Sequence, residues 1–144
     1  MRNNLWLVAG GVLSAGAALL HVAIIFGGPG WYRFFGAGER LAHAAEMGSV
    51  RPPVYALGIA LALLVWALYA FSGAGRIRRL PLLRTGLVTI SAIYLLRALA
   101  PIPMLIAMPE KVDAFVLWSS IAVLVYGLCY AVGTWIAWPH LRGR

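Results

Sequence analysis

Four stretches of about twenty residues, each nearly free of charge, constrain this chain more than any other feature. They fall at residues 5–27, 54–73, 85–108 and 114–138. A helix needs about 20 apolar residues to cross the roughly 30 Å hydrocarbon core of a bilayer at about 1.5 Å per residue. Only Ser14 and His21 interrupt the apolar character of the first stretch. Pro52 and Pro53 stand at the entrance to the second, where a missing N–H removes no helical hydrogen bond. Pro139 is expected to stop the fourth. The first stretch exceeds the apolar core of a secretion signal, about 7–15 residues, and reads as an anchor.

Composition points the same way. Residues are 62% hydrophobic and 11% charged, against about 25% charged in soluble domains. Such a surface has too little polarity to face water on all sides. The expected fold is all-α: an integral membrane four-helix bundle forming one domain over 1–144. A short amphipathic helix is expected in the 28–53 connection between the first two spans.

The net charge of +8 is distributed unevenly. Arg2, Arg76, Arg78, Arg79, Arg84, Arg142 and Arg144 fall on one side of the predicted spans. Arg33, Arg40, Arg51 and Lys111 fall on the other, offset by all four acids, Glu39, Glu46, Glu110 and Asp113. The positive-inside rule puts the purely basic set, and both termini, in the cytoplasm. Trp6, Trp31, Tyr32, Trp135 and Trp138 fall at predicted interfaces, where aromatic residues concentrate. The Ala-, Leu- and Arg-rich style suggests a bacterial inner membrane. No basic face on a polar domain is present, which excludes a nucleic-acid footprint. A single cysteine, Cys129, excludes an intramolecular disulfide.

The 28–53 connection is the informative loop. Gly28-Pro29-Gly30 marks a turn, Trp31 to Phe35 suits the headgroup layer, and Glu39 to Met47 reads as the short helix. On that helix Glu39, His43 and Glu46 are spaced i, i+4 and i+7 and share one face. Two residues lie inside the spans. His21 is about 24 Å along the first helix from Leu5, and Arg97 is about 20 Å along the third from Arg84. Thr89, Ile93, Tyr94 and Arg97 share a face. Pro101 and Pro103 open helix carbonyls beside the arginine, as in the interrupted helices of transporters. Glu39 or Glu46 is the expected counter-charge for Arg97.

These residues define the leading expectation, a pocket in the outer half of the spans. His21, Arg97, Glu39, His43, Glu46, Tyr94 and Trp31 would bind or transport a small amphiphilic or anionic ligand, with the 31–35 aromatics as a lid. A second reading is an enzyme acting on a lipid-like substrate, with Glu39, His43 and Glu46 as ligands of a divalent metal or His43 as an acid–base group. No cofactor is otherwise expected: there is no nucleotide loop or nucleophile elbow, and His21 has no membrane-embedded histidine partner to hold haem. A third reading is an accessory subunit of a larger membrane complex. The repeat Gly10, Ser14, Ala18 permits close helix packing, within one chain or in a homodimer.

Overall fold

The computed structural model describes residues 3–142; Arg2 and Arg144 of the basic set lie outside the described residues. The elements are α1 (Leu5–Gly27), α2 (Pro29–Phe34), α3 (Glu39–Glu46), α4 (Arg51–Gly73), α5 (Leu83–Leu99), α6 (Pro101–Ala107) and α7 (Ala114–Leu141). A 3₁₀ turn, Pro109–Lys111, precedes α7. No strand occurs among the described residues. Leu5–Gly27, Arg51–Gly73, Leu83–Ala107 and Ala114–Leu141 are long and apolar enough to cross a membrane.

Several boundaries depart from the sequence reading for local reasons. The aromatic segment read as suited to the headgroup layer winds into α2 as far as Phe34. Gly28 turns the chain at φ 76°, and Pro29 sits at the first helical position, where its fixed φ is already helical. The second span starts at Arg51, so Pro52 and Pro53 occupy its first turn. Pro101 interrupts the third stretch where the sequence reading placed a break. It starts α6, and Ala100 keeps right-handed helical angles (φ −55°, ψ −33°), so the helix is interrupted and then continues. Pro139 does not stop the fourth span, which runs on to Leu141. Its missing N–H deprives the Trp135 carbonyl of one intrahelical donor, a single loss confined to the last turn.

The chain divides into two compact units, Met1–Ser14 with Trp66–Arg144, and Ala15–Val65. In the first unit Asn4 begins α1. Its Oδ1 accepts from the Leu7 amide at 3.2 Å, while its Nδ2 donates to the Gly133 carbonyl at 2.7 Å. Leu7 is fully buried and lies so close to Gly133 that a Cβ there would sit 2.6 Å from the leucine Cγ.

A chain of hydroxyls also crosses this unit. Tyr130 donates its one hydrogen to the Trp66 carbonyl at 3.0 Å. It must then accept from Ser14 at 2.9 Å, and Ser14 accepts from Tyr94 at 2.7 Å. Tyr94 packs edge-on against Trp66 and Tyr126.

In the second unit Ile24 of α1, Tyr32 of α2, Ala42 of α3 and Ala56 of α4 form a buried cluster, flanked by Ile25, Phe35 and Ala45. The short helix therefore buries its alanine face and turns Glu39, His43 and Glu46 outward. Gly27 is required here because the Trp31 indole occupies the place of its Cβ.

Replacing Ser14 with alanine deprives both tyrosines of a partner and should cost about 1–2 kcal/mol. It should be read as a lowered melting temperature of the detergent-solubilised chain. Tyr94→Phe removes only the terminal donor and should cost less. Equal losses in the two variants would contradict the directional chain.

Candidate ligand site

The α2–α3 hairpin closes through Gly36-Ala37-Gly38, with φ of 71° at Gly36 and 91° at Gly38. Those left-handed angles are accessible to glycine without a Cβ clash. The reversal carries Glu39 back to Arg33. The Arg33 guanidinium donates from Nε to both Glu39 oxygens (3.1 and 3.0 Å) and from Nη2 to Oε1 at 2.7 Å. The same Nη2 lies 2.7 Å from Glu46 Oε1. Glu46 Oε2 is 3.4 Å from His43 Nδ1.

The Arg33 hydrogen bonds hold both carboxyls below the usual carboxylate range. The same bonds, to Glu39 first and then Glu46, hold the guanidinium above its ordinary value.

The stripe read from the sequence is thus real, but its partner is Arg33. The Arg33 guanidinium occupies the point where the two carboxylates converge. No group of three or more metal-ligating side chains assembles among the described residues. Arg97 instead donates to the Ser120 hydroxyl at 3.0 Å and the Ser119 hydroxyl at 3.4 Å. Both serines pass their own hydrogens to the Val116 carbonyl. Tyr94 is engaged by Ser14. Arg97 and Tyr94, with these partners, belong to the first unit.

His21 belongs to the second unit and lines a cavity of about 190 Å³ there. Its Nδ1 contacts the Ala17 carbonyl at 2.7 Å. A carbonyl only accepts, so Nδ1 carries the hydrogen, and in the neutral ring Nε2 is left as an acceptor. The cavity walls include Ile24, Phe35, Leu41, Ala56 and Ile59. Tyr32, Ala37, Pro52 and Tyr55 complete the lining.

Tyr32 is 4% exposed, and its hydroxyl has no hydrogen-bond partner among the described residues. Burial pushes the phenol above its ordinary pKa, so it stays a neutral donor. Leaving such a group unsatisfied costs about 1–3 kcal/mol.

The sequence singled out Trp31 from the aromatic run, yet Trp31 stacks obliquely on Phe35 at 5.9 Å and stays 44% exposed. Tyr32 in α2 and Phe35, which caps that helix three residues on, are the aromatics of the run that reach the cavity. That i, i+3 spacing was the available signal, but a six-residue helix gives too little periodicity to select it. Comparison with protein-family models, curated proteins and solved structures returns no match.

The Arg33 clamp should be acid-labile. Because folding lowers the Glu39 and Glu46 pKa values, their contribution is present above the ordinary carboxylate value of 4.5 and disappears as the pH falls through the folded values. The Arg33 contribution persists across the accessible alkaline range. Amide exchange across residues 29–46, corrected for intrinsic rates, should accelerate as the pH is taken below 4.5. Glu46→Gln should show part of that acceleration at neutral pH. Protection unchanged in acid would contradict the clamp.

Proposed function

We propose that this chain is a multi-pass integral membrane protein that binds a small neutral amphiphile. The ligand's polar head would enter the cavity between His21 and Tyr32, with residues 28–50 on the outer face. The observation that carries this reading is the buried Tyr32 hydroxyl, left without a partner at the wall of a 190 Å³ cavity.

A ligand head fits the polar pair in a definite way. Tyr32 donates an O–H, and His21 Nε2 accepts one, so a single hydroxyl can accept from the tyrosine while donating to the histidine. The lining holds no lysine or arginine, and an imidazole acceptor disfavours an anion. This narrows the expected ligand from amphiphilic or anionic to neutral. Size also matters: an apolar cavity of about 150 Å³ admits benzene, so this one suits a single ring or a head group of similar bulk. The remaining apolar body of the ligand would lie along the helix surface.

Butylphenol and butylbenzene test the proposal as a pair, differing only in the hydroxyl. Butylphenol should bind the full chain in nanodiscs more tightly than butylbenzene, by about tenfold for one buried hydrogen bond. Tyr32→Phe should erase that difference while leaving the melting temperature equal or higher, since it removes an unsatisfied group. Ala56→Leu should weaken both probes by filling the cavity. Equal affinity of the two probes for the wild-type chain would overturn the reading.

A further inference from the structure

Ser72, buried near the end of α4, donates from its hydroxyl to the Arg78 carbonyl at 3.1 Å and accepts from the Leu80 amide at 2.9 Å. Tyr69 donates to the Pro81 carbonyl at 3.1 Å. These three bonds fix the basic turn between α4 and α5. Leu82 closes it in the left-handed region at φ 52°, a conformation that costs a non-glycine residue about 1 kcal/mol or more. The result is a preformed loop that carries arginines.

Arg79 reaches across to the end of α7, donating to the Leu141 carbonyl at 2.7 Å and the His140 carbonyl at 3.3 Å. It thereby caps carbonyls that lack helical partners. Arg84 stacks over Trp138, its Cζ 3.9 Å from the ring centroid. Stacking leaves the N–H donors of a planar guanidinium radiating sideways in its own plane. Both arginines line a cavity of about 590 Å³, together with Leu80–Thr85 and Leu141.

Charge at this end is uncompensated. Arg76, Arg78, Arg79, Arg84 and Arg142 gather within the turn and the end of α7, while no acid occurs in residues 66–107 or 114–142. Glu110 and Asp113 precede α7, whose 28 residues place them about 42 Å away along the helix. Glu39 and Glu46 are both held by Arg33. Among the described residues Arg76 donates to the Asn3 carboxamide oxygen, at 3.5 Å. Five cations beside an apolar surface call for an external anion. The planar donors of Arg84 match the paired oxygens of a phosphate.

We infer that the cavity between the 79–85 turn and the end of α7 is a phosphate site, in which Arg84 grips the phosphate with Arg79 beside it. The phosphate is that of an anionic lipid headgroup or a free phosphate. The lipid source rests on the membrane reading proposed above; the free-phosphate source does not. The site is separate from the His21–Tyr32 cavity and stands or falls without it.

The test compares three probes on the purified full chain: nanodiscs containing phosphatidylglycerol, nanodiscs of phosphatidylcholine alone, and inorganic phosphate added to the detergent-solubilised chain. Native mass spectrometry reads lipid retention, and thermal unfolding reads the phosphate effect. Phosphatidylglycerol should be retained about tenfold or more over phosphatidylcholine, as expected for a charge-assisted pair. Arg84→Gln should remove that preference, Arg84→Lys should keep part of it, and Arg51→Gln should leave it intact.

No lipid preference but saturable stabilisation by phosphate, lost in Arg84→Gln, would assign the site to free phosphate. Should Arg84→Gln fail to accumulate, the wild-type preference must still fall with added salt, and persistence in salt counts against the site. Equal retention of the two lipids without a phosphate effect overturns the inference, as does an undiminished preference in Arg84→Gln.

Discussion

The apolar surface that the four long helices leave uncovered is the constraint on which the rest of the structure depends. Within each apolar window only 22–28% of residues are buried by the chain itself. Phe26, Ile106 and Trp135 are each more than 80% exposed. A monomer in water rarely presents contiguous apolar surface on this scale, and hydrocarbon is the medium in which it carries no penalty. In that medium polar groups on the helices have no water to satisfy them. The pattern of side-chain bonding fits this demand. Ser91 donates to the Leu87 carbonyl, Ser120 to Val116, and His21 to Ala17, each one turn back along its own helix. Ser14, Tyr94 and Tyr130 satisfy one another and finish on a backbone carbonyl.

Against that background a vacant polar atom carries information. The acids and Arg33 of the 28–53 connection, though the most reactive-looking group in the sequence, are engaged with each other at an exposed position. They act as a clamp on the α2–α3 hairpin. Arg97 is engaged by two serines. Tyr32, an inconspicuous member of an aromatic run, is with Thr134 one of two buried side chains among the described residues whose hydroxyl has no partner, and it lines the same cavity as His21. The proposed ligand site follows from this contrast between satisfied and unsatisfied groups more than from the density of charged residues.

The lengths and positions of the four apolar helices were legible in the sequence because hydropathy and helix rise are one-dimensional properties. So was α3, whose charged stripe repeats at helical spacing. Partner choice was less legible. Glu39 could be assigned a face from periodicity, but its pairing with Arg33 depends on two glycines adopting left-handed angles, a three-dimensional event that spacing does not encode. Arg97 drew attention because a cation within an apolar stretch demands compensation, yet hydroxyls at 119 and 120 supply its hydrogen bonds without a carboxylate. Pro139 reads as a stop signal, but a proline in the final turn forfeits too little to end a helix whose other residues still favour it. His21 was found from its polarity alone; Tyr32 was not, because burial without a partner is invisible in sequence.

The arrangement of these features across a bilayer is the claim on which the ligand reading and the lipid source of the phosphate both draw. Labelling of intact cells with a membrane-impermeant maleimide tests it directly, using Arg40→Cys and Arg78→Cys in separate chains. The account predicts modification at position 40 in intact cells, and at position 78 only after the membrane is opened. Labelling of position 78 from outside, or recovery of the chain in the soluble fraction without detergent, would contradict it.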